Sequence, residues 1–144
     1  MPAGTTSHEA IIPARFSLTV DGVEIAAFSE LVGIVTEAGP DDLAEKVLRR
    51  LPGKRVPPTV TLRRGMSRDM QIAAWQEAAL AARPGEGRKA AMLTMFANDG
   101  TPVARYQLEN AWPSKVEISA VAGAGDLLYE TVTLSCDAAR RVAP

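Results

Sequence analysis

A mainly β (α+β) domain with one packed helix is the fold class this sequence predicts. Three observations predict it. Several segments alternate apolar and polar residues. Turn-forming residues such as Asp21-Gly22 and Asn98-Asp99-Gly100 separate them. One stretch alone has helical apolar spacing, at Ile72, Trp75, Ala79 and Leu80.

The elements follow in order. Phe16, Leu18 and Val20 alternate with Ser17, Thr19 and Asp21, the pattern of a half-buried strand. Asp21-Gly22 tolerates the positive φ of a tight hairpin and leads into a strand from Val23 to Ala27. Phe28 to Thr36 continues in β-rich composition until Gly39-Pro40-Asp41-Asp42 breaks it. Leu43 to Leu51 fits a short helix, a loop or a hairpin arm equally. Val56 to Leu62 is a strand whose prolines, Pro57 and Pro58, confine its start to an edge or entry position.

A helix is expected from near Ser67, an N-cap residue, with Asp69 in the first turn, where the helix dipole favours negative charge. Arg83-Pro84-Gly85 stops it. Further strands are expected over Ala90 to Phe96, Val103 to Glu109, Val116 to Val121 and Leu127 to Cys136. Asp99 and Gly100 fix one hairpin, Trp112 and Pro113 close the strand after it, and Trp75 docks the helix on the sheet.

At 144 residues, with 47% hydrophobic and 23% charged residues, the chain reads as one folded domain over 15–144 behind a flexible segment, 1–14. A net charge of −1 excludes a basic nucleic-acid binder by bulk electrostatics. The lone Cys136 cannot form an internal disulfide. The start of the chain lacks a secretory layout, and the longest apolar stretch, Ala90 to Ala97, is too short to span a bilayer. The protein is therefore expected to be made in the cytoplasm, with no membrane anchor.

Catalytic groups are few. His8 sits in the lead-in and Cys136 in a strand, so neither completes a nucleophile–base pair locally. Ligands for zinc or haem are lacking, and Gly123-Ala124-Gly125 reads as a turn, not a phosphate loop. Asp41 and Asp42 are adjacent, which does not aim two carboxylates at one substrate. No enzyme activity and no cofactor are expected.

Between positions 49 and 64 stand Arg49, Arg50, Lys54, Arg55, Arg63 and Arg64, with no acidic residue among them. Such a run is a solvated loop, a subunit interface or a nucleic-acid surface. Only Arg63 takes a strand position, and no aromatic residue is interleaved for base stacking, which weighs against nucleic acid.

Four strings carry a resemblance: FSLTVDGVEIAAFSELVG from Phe16 to Gly33, RLPGKRVPPTVTLRRG from Arg50 to Gly65, NDGTPVARYQLENAWP from Asn98 to Pro113, and YETVTLSC from Tyr129 to Cys136. In content and order they resemble the phage tail tube family, the inner tube proteins of contractile tails and extracellular contractile injection systems. The likeness runs over about residues 16–142, and Gly39 to Leu48 departs from the acidic loop common in relatives.

The resemblance implies a tail-tube-type β-barrel or sandwich of two packed antiparallel sheets with one flanking α-helix. It implies six copies in a ring, rings stacked into a hollow tube, and four strands from each subunit in a continuous barrel around the lumen. The tube would be a passive conduit driven through a target envelope by sheath contraction. Its partners would be itself, the sheath protein, baseplate and cap proteins, and protein cargo in the lumen. Assembly would be cytoplasmic, the product a phage tail or a released injection particle.

Leu51, Pro52, Gly53, Lys54 and Arg55 are then expected at inter-subunit or inter-ring contacts. Thr59, Thr61, Arg63, Arg105, Gln107 and Glu109 are expected to face the lumen. Two alternatives stay open: a tube of another secretion system without a sheath, and a monomeric β-barrel binding module.

Overall fold

The computed structural model describes residues 12–37, 56–82, 87–120 and 127–144. In chain order these hold β1 (Arg15–Val20), β2 (Val23–Phe28), β3 (Glu30–Glu37), β4 (Val56–Gly65), α1 (Gln71–Ala81), β5 (Lys89–Phe96), β6 (Pro102–Ala120), β7 (Leu128–Ser135) and β8 (Ala138–Val142).

Every pairing is antiparallel, and the strands fall into two layers that share β6. The first sheet runs β2-β1-β5-β6-β8, using the first half of β6; the second runs β3-β4-β7-β6, using its second half. Phe16, Leu18, Leu93 and Leu108 from the first sheet meet Val60, Leu62, Val132 and Leu134 from the second in one core cluster. This is the two-layer sandwich expected, mainly β with one short helix.

Local chemistry explains the corners. Asp21 and Gly22 both take positive φ, 51° and 84°, the pair a type I′ hairpin turn requires. At the second hairpin Gly100 has φ 87°, and the Asp99 carboxylate accepts the Thr101 N–H at 2.9 Å. Ser29 alone separates β2 from β3; its N–H donates to the Arg63 carbonyl, carrying the chain from one sheet to the other.

Three expectations need correction. The helix starts at Gln71, not near Ser67: Ser67 Oγ accepts the Asp69 N–H, and Asp69 in turn accepts the Gln71 N–H, so the capping oxygens form a relay ahead of the first turn. Leu80 is 68% exposed, because at 100° per residue it lies well off the stripe of Ile72 and Trp75. Trp112 and Pro113 do not close a strand. β6 runs through them for 19 residues, its course bent at Asn110, which takes φ 52°. A register shift against β5 spans that position and a second, against β7, follows between Pro113 and Lys115; together they let one strand serve both sheets. The short β8 was not foreseen.

Trp75 is buried, and its indole N–H donates to the Gly87 carbonyl at 3.0 Å. Gly87 lies so close to the helix that a Cβ there would stand 2.2 Å from the Ala79 Cα. Glycine is therefore a packing requirement where the chain returns to β5.

Candidate assembly surface

The second sheet has one face in the core and one facing out. Cross-strand register assembles the outward face in rows. Glu30, Arg63, Thr131 and Glu117 form one row; Gly33, Thr61, Thr133 and Lys115 form the next; Val35, Thr59, Ser135 and Trp112 form a third. Hydroxyls dominate. Thr61 and Thr133 share a hydrogen bond at 3.3 Å, and Ser114 and Ser135 share one at 2.7 Å.

Charge on this face is balanced. Arg63 lies 3.7 Å from Glu30 and donates from Nε to Thr131; Lys115 lies 3.5 Å from Glu117. These pairs are half-exposed, so they contribute little to stability, but they leave the face with paired opposite charges. At one end Ser29, Glu30, Arg63, Ser119 and Tyr129 line an open hollow of about 550 Å³.

Both edges of this sheet are unpaired among the described residues. β3 bonds only to β4, and β6 from Trp112 onward bonds only to β7. Exposed edges of this kind invite pairing with another chain.

The expected lumen residues divide in two. Thr59, Thr61 and Arg63 share the outward face just described. Arg105, Gln107 and Glu109 do not join them: they lie on the first half of β6, in the other sheet, where Arg105 and Gln107 pair with Thr94 and Met92. Since the two sheets share one core, their outward faces point away from each other, and the two sets lie on different faces of the sandwich. Period-2 alternation gives two faces per strand but does not say which strands share a sheet. Lys115, Glu117, Thr131, Thr133 and Ser135 share the outward face with Thr59, Thr61 and Arg63; in the sequence, the alternation of Thr131, Thr133 and Ser135 with Val132 and Leu134 signals it.

Leu51, Pro52, Gly53, Lys54 and Arg55 lie outside the described residues, as do His8, Asp41 and Asp42. Arg64, grouped in sequence with a loop, is instead a buried strand residue of β4. Cys136 is buried, its thiol donates to the Pro58 carbonyl, and burial pushes its pKa up to about 11, with Asp137 adding to the effect. Such a thiol is a poor nucleophile at neutral pH. Among the described residues no cluster of His, Cys, Asp and Glu could hold a metal, and no helix is long and apolar enough to cross a membrane.

The fold and face define a class: a two-layer antiparallel β sandwich whose second sheet carries a hydroxyl-rich, charge-balanced face between two edges that are unpaired among the described residues. The chain belongs to the T4-like virus tail tube protein gp19 family, which it matches over residues 13–140. It is a tail tube protein, of a structural family and not an enzyme family. No curated protein compared with the chain matches it.

Solved structures agree in fold. The sheath–tube complex of an extracellular contractile injection system, PVC, in the extended state contains a chain similar at TM-score 0.64 and 19% identity, covering 100% of this chain and 99% of that one. A chain of the anti-feeding prophage tube-terminating cap is similar at TM-score 0.61 and 19% identity, over 99% and 100%. Hcp1 from Flavobacterium johnsoniae is similar at TM-score 0.53 and 13% identity, over 90% and 95%.

Proposed function

We propose that this tail tube protein forms six-membered rings that stack into a hollow tube, and that the outward face of the β3-β4-β7-β6 sheet lines the channel. One observation carries the proposal: this sheet has four alternating antiparallel strands, a wet face and two edges that are free among the described residues. An even number of alternating strands leaves β3 and β6 running in opposite directions. Simple rotation of one copy beside the next then continues the antiparallel ladder from the β6 of one subunit to the β3 of its neighbour. The join is head-to-tail, so it closes a ring and removes both edges at once.

In this reading Thr59, Thr61 and Arg63 face the channel, while Arg105, Gln107 and Glu109 face outward from the tube. Leu51, Pro52, Gly53, Lys54 and Arg55, in the segment joining β3 to β4, are proposed for inter-subunit or inter-ring contact. A hydroxyl-rich wall with mutually paired charges suits the passage of a protein cargo, since it offers little to hold any one charge sign.

The tube is a rigid conduit driven through a target envelope by contraction of a surrounding sheath, and it meets cap and baseplate proteins at its ends. It assembles in the cytoplasm and becomes part of a phage tail or a released injection particle. Similarity to chains in sheath–tube, cap and baseplate assemblies supports this over a sheathless tube. Electron microscopy of the purified protein tests it. Six-fold rings or stacked tubes are expected; uniform single particles across a wide concentration range overturn it.

A further inference from the structure

An open hollow of about 380 Å³ lies on the outward face of the first sheet, where Thr19, Asp21, Met92, Thr94, Arg105 and Gln107 contribute to its lining. Ser17, Thr94 and Arg105 stand in one row across β1, β5 and β6. Ser17 and Thr94 are buried although they face outward, and Arg105 is only partly exposed. Among the described residues, the Arg105 Nε is the one buried side-chain nitrogen or oxygen without a hydrogen-bond partner.

The other charges on this face are engaged within the chain. Asp21 lies 3.7 Å from Lys89 and Glu109 3.3 Å from Arg140. Glu24 accepts the Ser17 hydroxyl, and Arg15 stacks over Phe96. None of the ion pairs among the described residues takes in Arg105. Arg15, Arg68 and Arg141 also stand outside those pairs, but all three are exposed, so water solvates them. Arg105 instead keeps a guanidinium partly withdrawn from water with no anion to face, which costs free energy until an acceptor arrives.

We infer that the hollow is a carboxylate site, and that an acidic side chain of the enclosing sheath protein enters it to pair with Arg105. The inference rests on the ring and sheath proposed above, and it names the residue by which the tube holds the sheath. A carboxylate matches the planar guanidinium with two acceptor oxygens, and the Gln107 amide and Thr19 hydroxyl line the same hollow as further donors. Place decides the source of the carboxylate. The lining comes from β1, β5 and β6, the three middle strands of the five in the first sheet, and from the turn after β1. The proposed seam joins the second half of β6 to β3, in the other sheet. The hollow is therefore away from the seam and turned from the channel, toward whatever surrounds the tube.

Co-production of the tube protein with its sheath protein tests the site, using Arg105→Glu and Arg105→Gln beside the wild type. Both variants are expected to keep the wild-type circular dichroism spectrum and to form bare tubes when no sheath is present. Sheathed particles in electron micrographs should fall by about tenfold or more in Arg105→Glu, because a hydrogen bond to a charged group is worth at least that factor. Arg105→Gln removes the charge without reversing it and should fall less; if Arg105→Glu fails to fold, Arg105→Gln carries the comparison. Sheathing of the folded variants equal to that of the wild type overturns the site. Loss of bare tubes from a folded variant gives the hollow to a second copy of the chain and overturns the sheath as its occupant. Wild-type tubes that the sheath does not coat overturn the sheath reading itself.

Discussion

Arg64 and Glu130 face each other across β4 and β7, with the guanidinium Nε 2.7 Å from a carboxylate oxygen and both side chains almost covered, at 9% and 12% exposure. Asp69, ahead of the helix, lies 3.7 Å from the same guanidinium, and the Phe28 ring packs 5.2 Å beneath it. The pair therefore sits on the core side of the second sheet, and it ties two strands, the helix entry and the end of β2 to one charge.

Removing one member strands the other in a place water reaches poorly. Arg64→Met is expected to cost roughly 3–5 kcal/mol, the range for breaking a buried ion pair from one side. The double variant Arg64→Met, Glu130→Leu should regain much of that loss, because the one charge left without its partner, Asp69, is about a third exposed and stays in contact with water. Urea unfolding of both singles and the double gives the coupling directly. Additive losses in that cycle would show that the two residues act independently.

The helix is held on the sheets by two buried side chains, Ile72 and Trp75, and only Trp75 adds a hydrogen bond. Trp75→Ala is expected to destabilise the fold by roughly 3–5 kcal/mol, as for other large aromatic truncations in cores. Trp75→Phe should cost less, since it keeps most of the packing and loses the hydrogen bond to Gly87. Gly87→Ala should also destabilise, by roughly 1–3 kcal/mol, because the new methyl meets helix backbone rather than a yielding side chain. Thermal melts of Trp75→Ala or Gly87→Ala that overlay the wild type would contradict this account of the helix docking.

Cys136 gives the fold a pH dependence of known sign. Its thiol ordinarily titrates at 9.0 and is pushed up to about 11 by burial and then by Asp137. Below pH 9.0 both folded and unfolded chains hold the proton. Above it the unfolded chain releases the proton while the folded one keeps it, so stability falls as pH rises toward 11. The urea midpoint of the wild type should decline more steeply over this window than that of Cys136→Ala. Parallel curves would mean that the folded protein accommodates the thiolate without cost.

Much of the fold was legible because its signals are local. Phe16, Leu18 and Val20, or Val60 and Leu62, declare a buried face through alternation alone, and Asp21-Gly22 declares its turn through backbone sterics. The sharing of β6 between sheets was not legible. A Trp-Pro pair reads as an ending, and only the partners on either side of Asn110 show that the strand continues. The same limit governed the surface. Thr59–Arg63 and Arg105–Glu109 look alike as sequences, and it is strand order that sends their polar sides in opposite directions. Arg64 was misread for a related reason: a charge beside other charges looks solvated until its partner, 66 residues away, is known.

The two polar faces make the last prediction, because a tube has an inside and an outside that a large reagent can tell apart. Thr61 lies near the middle of the second sheet's wet face, in hydrogen-bond contact with Thr133, and is assigned to the channel wall. Gln107 lies on the first sheet, paired with Met92 and Arg140, and is assigned to the tube exterior. With Cys136 replaced by alanine to remove the native thiol, Thr61→Cys and Gln107→Cys can be labelled with a maleimide too bulky to enter the tube. Both should react in free subunits. In intact tubes Thr61→Cys should be protected while Gln107→Cys keeps reacting. A small maleimide that diffuses through the channel should restore labelling of Thr61→Cys, which separates protection by the tube wall from burial at a contact. The reverse pattern, with Gln107→Cys protected and Thr61→Cys open, would put the first sheet on the channel and overturn the orientation proposed for every subunit in the ring.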